Sequence, residues 1–162
     1  MHTMTTSMIR RALPTDADAI MRLLHQVNDV HAHGRPDLFI EGKTKYTTDE
    51  LACIIADDAR PVFVATDDDD TIIGYAFCVD EDHTDANNLQ PIHTLYIDDI
   101  CVDEAARGKH MGTALYEHVL DYARAHGYHN VTLNAWAANP AAVTFYEHLG
   151  MSVYKYGMEQ IL

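Results

Sequence analysis

No apolar run in the sequence approaches the roughly 20 residues that a membrane-spanning helix requires. Met1–Ser7 is polar and lacks the basic-then-apolar order of a signal peptide, so a loose tail before the first strand is expected there. Cysteine is scarce: Cys53, Cys78 and Cys101 form an odd, widely spaced set in apolar surroundings. That pattern excludes a disulfide framework or CxxC metal site and points to a reducing cytoplasm. Basic residues are also few, 11 against 25 acidic, for a net charge of -14. Phosphate backbones and anionic membranes need clustered Lys and Arg, so neither is expected as a partner. The same charge would attract a cationic substrate, and would equally serve solubility alone.

Several ligand motifs are missing. There is no GxxxxGK[ST] loop and no GxGxxG fingerprint. The Asp67–Asp70 run lacks the glycine and distal glutamate of a calcium loop and reads as a solvated hairpin tip. His31 and His33 stand too close together, with no third ligand at a metal-binding spacing, so no metal is expected. What remains is 162 residues with a 48% hydrophobic fraction, enough for one well-cored domain over residues 8–162.

Periodicity then assigns the elements. Met8–Leu13 reads as a strand, and Thr15 as the cap of a helix whose stripe is Ile20, Leu23, Leu24, Val27 and Val30. His31–Tyr46 is an irregular segment suited to face a substrate, and Thr48 or Asp49 caps a second helix running to about Asp58. Val62–Ala65 and Thr71–Val79 form a hairpin, and Ile92–Val102 is a long strand. A third helix spans about Met111–His126 and closes at Gly127. Asn130–Ala135 is a strand, Asn139-Pro140 opens a fourth helix, and Ser152–Leu162 supplies one or two last strands. This order predicts an α/β fold, a mixed sheet flanked by about four helices, with parallel neighbours where strands alternate with the last helices.

Two segments carry chemistry. Arg107-Gly108-Lys109-His110-Met111-Gly112-Thr113 joins a strand to a helix. Its glycines let backbone N–H groups turn inward, the helix start adds positive potential, and Arg107 and Lys109 add charge: a pyrophosphate cradle. A purely structural turn has the same look. In Asn139–Met151, Tyr146 either directs its hydroxyl at a ligand or serves as a core tyrosine. Trp136 likewise reads as a pocket wall or a core anchor.

Arg107–Thr113 resembles the R/Q-x-x-G-x-G/A signature of the GNAT superfamily of acyl-CoA-dependent N-acyltransferases, with His110 in place of the first glycine of its G-x-G pair. Asn139–Met151 resembles that family's N-x-x-A-x-x-F-Y-E-x-x-G-F segment, with Met151 for the usual Phe. Ile97-Asp98-Asp99-Ile100-Cys101-Val102 is similar to its central strand, in the acidic version found in polyamine and related small-amine enzymes.

The resemblance implies a GNAT-like sheet whose central parallel strands splay apart, with acetyl-CoA as co-substrate. Backbone groups of Ile100, Cys101 and Val102 would meet the pantetheine arm as an added strand would. Arg107, Gly108, Lys109, His110, Met111, Gly112 and Thr113 would hold the pyrophosphate, and Asn139 the pantetheine. A small-molecule or peptide amine would attack the thioester directly. Asp98 or Asp99 would take its proton, with Asp98 favoured, and Tyr146 would protonate the leaving thiolate. Strand alternation sets the two acids on opposite faces. Cys101 would be a small hydrophobe rather than a nucleophile. The alternatives are a non-catalytic acyl-CoA sensor of the same fold and a nucleotide-binding regulator, the latter opposed by the absent phosphate motifs. The resemblance leaves a homodimer open.

Overall fold

The computed structural model describes residues 8–108 and 110–162; the expected tail and Lys109 lie outside them. Among the described residues, five strands make one sheet in the order β1-β2-β3-β4-β5. They are β1 Met8–Arg11, β2 Val62–Thr66, β3 Ile72–Asp82, β4 His93–Val102 and β5 Asn130–Leu133. The first four are antiparallel neighbours, and β4 and β5 run parallel. The helices are α1 Ala17–Gly34, α2 Thr48–Ile55, α3 Met111–Ala125 and α4 Pro140–His148. This is the mixed α/β sheet with a parallel central pair that the residue pattern predicts.

Helices cover both faces, so every residue of β2 is buried and the strand reads as a continuous apolar run. On one face Ile20, Leu23 and Leu24 of α1 and Leu51 and Ile54 of α2 pack on Tyr75, Phe77 and Cys101. On the other, Met111, Leu115 and Val119 of α3 pack on Phe63, Ala76, Leu95 and Ile97. Alternation along β3 and β4 deals successive side chains to these two cores.

Three local expectations are corrected. Thr15 does not cap α1: a 3-10 turn, Pro14–Asp16, precedes the helix. The Asp16 carboxylate accepts from Leu13 N at 2.7 Å and pairs with Arg10 at 2.7 and 3.0 Å. Asp16 wins because its longer reach and full charge serve both donors at once. The cap of α2 is Thr47, whose Oγ1 accepts from Glu50 N, rather than Thr48 or Asp49. The sheet stops at β5, and 152–162 forms no strand. Alternating side chains make a strand only where a second edge lies alongside. This segment is exposed and makes no backbone hydrogen bond among the described residues, while Glu159 is drawn to Arg35 beyond the end of α1 at 2.8 Å.

Candidate active site

The site forms where β4 and β5 part. Their parallel register runs from Thr94↔Asn130 to Ile97↔Leu133 and ends with β5, while β4 continues to Val102. Thr94 Oγ1 donates to Asn130 Oδ1 at 2.7 Å and His129 N to His93 O at 2.9 Å, fixing the closed end. Beyond Ile97 the β5-facing edge of β4 has no strand beside it among the described residues. Ile100, Cys101 and Val102 therefore lie along an open edge able to accept an extended ligand with amide groups.

At the mouth of this split β4 carries a bulge. Phe77 stands opposite Asp99 and Cys78 opposite Ile97, so Asp98 is the extra residue. Strict alternation, which would part the two acids, is broken there. Asp99 shares the α1/α2 face with Tyr75 and Phe77, and Tyr75 Oη donates to its Oδ2 at 3.1 Å. Asp98 accepts a short hydrogen bond from Tyr46, whose ring lies 5.5 Å from Phe77 on that same face. Both carboxylates thus meet tyrosines of one cluster, and the opposite-face expectation is overturned by one inserted residue.

Their electrostatic settings differ. Burial pushes the Asp99 carboxyl up to about 6, against the favourable influence of Lys45 and the Tyr75 hydroxyl. Asp98 lies nearer the surface, where Lys45 Nζ sits 3.2 Å from its Oδ2 and donates to its carbonyl at 3.1 Å. Burial and then the Asp98 carboxylate hold the Tyr46 phenol well above its ordinary range. Tyr146 on α4 lies 6.0 Å ring to ring from Tyr116, and burial followed by the Asp99 charge pushes it up to about 12. It is a protonated hydroxyl at neutral pH, electrostatically coupled to Asp99. Burial also pushes the Cys101 thiol up to about 12, leaving it a neutral buried side chain.

Two residues of the turn ahead of α3 adopt a left-handed backbone. Gly108 has φ +86 and His110 φ +58, and exposed His110 is the N-cap. Arg107 is exposed beside them, Met111 is buried under the helix, and Thr113 is half-buried. A Cβ on Gly112 would come 3.3 Å from Phe145 Cζ, so its small size lets α4 approach α3. The turn is braced from α1: Arg22 pairs with Asp103 at 2.7 Å, and Gln26 Oε1 accepts from Glu104 N at 3.1 Å. Asn139 caps α4, its Oδ1 accepting from Ala142 N at 3.3 Å, and no contact joins it to the acid pair.

Some site residues carried no signal of their own. Tyr46 and Lys45 fall within the segment read as substrate-facing, and Tyr75 passes for an ordinary core residue until β3 and β4 are paired. Trp136 is exposed and edge-on to Phe39 at 5.7 Å, and Phe39 stacks on His31 at 5.0 Å. This aromatic wall, not the core, is the place of Trp136. Among the described residues no group of three or more His, Cys, Asp or Glu is placed to hold a metal ion, and no helix is long and apolar enough to cross a membrane.

A mixed sheet that splits between parallel strands, with a helix-start turn beside the split, is an acetyltransferase-type fold. The chain belongs to the acetyltransferase (GNAT) family, whose sequence profile matches residues 26–151. Among solved structures it is similar to a tetramutant of the BH1408 protein of Bacillus halodurans, with 29% identity and TM-score 0.90 over 96% of this chain and 99% of that one. An aminoglycoside acetyltransferase from an uncultured soil metagenomic sample, in complex with sisomicin, superposes with TM-score 0.74 at 15% identity, over 96% and 95% of the chains. A Trypanosoma brucei acetyltransferase gives 0.70 at 21%, over 96% and 99%. At those two identities the likeness is one of fold. No curated protein matches the sequence.

Proposed function

We propose that the protein transfers an acetyl group from acetyl-CoA to a primary amine by direct attack. The observation that carries this is the convergence of Asp98 and Asp99 on one face at the mouth of the β4–β5 split. The chain's residues fit acetyl-CoA: an open β4 edge at Ile100–Val102 for its amides, and a left-handed turn with Arg107 at a helix start for its phosphates. When bound, it supplies an activated acyl carbon and a thiol leaving group.

An amine with a pKa of roughly 10 arrives protonated and must lose that proton before attack. Asp98, at the surface and already holding an ammonium, anchors the cation. Asp99, raised to about 6, stays ionised at neutral pH yet is basic enough to receive the proton, directly or through water. This shifts base duty from Asp98, which the family resemblance favours, to its neighbour. Tyr146, held protonated by burial, gives its proton to the departing thiolate. The backbone N–H groups of the open β4 edge stabilise the oxyanion. Cys101 takes no covalent part.

The net charge of -14 favours cationic acceptors. The fold shared with an aminoglycoside acetyltransferase puts polycationic amines first among them. We place this chemistry in the cytoplasm, consistent with three free thiols. His110 at φ +58 holds the conformation a glycine would take there, so the cradle would serve an enzyme and an acyl-CoA sensor alike. The pairing of two carboxylates with a protonated Tyr146 favours the enzyme, since a sensor needs neither a base nor an acid.

Tyr146→Phe tests the assignment. Turnover falls about a hundredfold or more, while the Kd for acetyl-CoA by calorimetry stays within a factor of about three, the scale of one modest contact. Wild-type turnover in the variant removes Tyr146 from the mechanism.

A further inference from the structure

We propose that Lys45 is an acceptor of this site, and that the protein acetylates its own Lys45 ε-amine when acetyl-CoA is bound and no external amine is present. The step rests on the acetyl-transfer function proposed for the site.

The Lys45 ammonium already stands where an acceptor must stand. Its Nζ lies 3.2 Å from Asp98 Oδ2 and donates to the Asp98 carbonyl at 3.1 Å, on the bulged residue at the mouth of the split. Its charge also favours the ionised form of the neighbouring Asp99. Neighbouring contacts hold it there. Tyr46 is fixed by its phenol on Asp98 and its ring against Phe77, and Thr44 Oγ1 donates to Tyr46 O at 2.7 Å. Lys43 and Lys155 pair with no carboxylate among the described residues, and Lys155 lies instead over the Tyr154 ring. The Lys45 side chain is 42% exposed, close enough to the surface for an incoming amine to displace it.

The bonds balance as in transfer to an external amine. The Lys45 ammonium gives one proton to Asp99, and the freed lone pair forms the N–C bond to the acetyl carbonyl carbon. The C–S bond breaks, the thiolate takes a proton from Tyr146, and the second proton leaves the nitrogen as the amide forms. Products are Nε-acetyl-Lys45 and free CoA thiol, with one net proton released. Loss of the ammonium then leaves Asp98 with the Tyr46 hydroxyl but without a cation, open to an external one.

The test is intact-mass and peptide-mapping mass spectrometry of the full chain incubated with acetyl-CoA and no amine. The expected result is one acetyl group on Lys45, added about a hundredfold or more faster than on Lys43 or Lys155, as proximity to a catalytic group gives. The rate per molecule does not change on dilution, an added acceptor amine slows it, and Asp98→Asn lowers it toward the Lys43 rate. Labelling of Lys45 no faster than Lys43 and Lys155, or a rate that scales with protein concentration, overturns the inference. Thiol release with external amines in the same preparation separates the two levels. If those amines turn over while Lys45 stays unlabelled, self-acetylation alone fails. If neither occurs, the acetyl-transfer function fails with it.

Discussion

Replacing Asp99 by Asn should make the protein more stable and less active at once. The carboxyl ordinarily titrates near 3.8 and burial raises it to about 6. The folded state therefore binds a proton that the unfolded chain has already released in this window. Stability falls as pH rises from about 4 to about 6 and stays reduced above that. The gap between the two values corresponds to about 3 kcal/mol. Asn keeps the acceptor for the Tyr75 hydroxyl, 3.1 Å away in the wild type, but carries no charge to desolvate. Urea unfolding at pH 4 and pH 7 reads most of the effect, with the stability of Asp99→Asn relative to wild type growing by about 2 kcal/mol between them, since at pH 4 the unfolded chain has already released more than half of this proton. The wild-type kcat/KM for the acceptor, which reports the free enzyme, should fall as pH drops through about 6. That limb should vanish in Asp99→Asn, with turnover down about 10²–10⁴-fold. A variant that gains no relative stability between pH 4 and 7 refutes the buried-carboxylate reasoning. One that keeps the limb clears Asp99 of base duty.

Two further substitutions probe the cradle and the cysteine. His110 holds φ +58, which costs a side-chain-bearing residue about 1–2 kcal/mol, whereas Gly gives back about 0.5–1 in unfolded-chain entropy. His110→Gly should then stabilise by about 0.5–1 kcal/mol in urea melts, and a loss of stability would contradict the strain. Cys101→Ala should keep turnover within a factor of about three while losing about 1 kcal/mol of stability to the vacated core volume. Abolished turnover in a folded variant would restore the thiol to the chemistry.

The regular parts of this fold were legible because each obeys one period. α1 shows its stripe at Ile20, Leu23 and Leu24, β2 its apolar run, and Asn139-Pro140 its helix start, where Asn139 does cap Ala142 N. The acids and Tyr146 were legible as residue types in family-like segments. Their arrangement was not, because it turns on the one-residue bulge at Asp98, and a bulge leaves no mark in a strand's own composition. Tyr46 and Tyr75 escaped for the same reason: each gains its role only from a partner 52 or 24 residues away. The segment 152–162 has strand-forming residues, yet pairing is a property of two edges and one sequence window displays only one.

The most direct measurement is free-thiol release from acetyl-CoA, with and without a panel of polyamines, aminoglycosides, amino acids and short peptides, and with the acetylated product identified by mass. The expected result is acceptor-dependent thiol release with one acetyl group on a nitrogen of a cationic amine. Acetyl-CoA that raises the melting temperature while no amine is acetylated would contradict catalysis and leave the acyl-CoA sensor. No stabilisation and no release would contradict the cofactor itself.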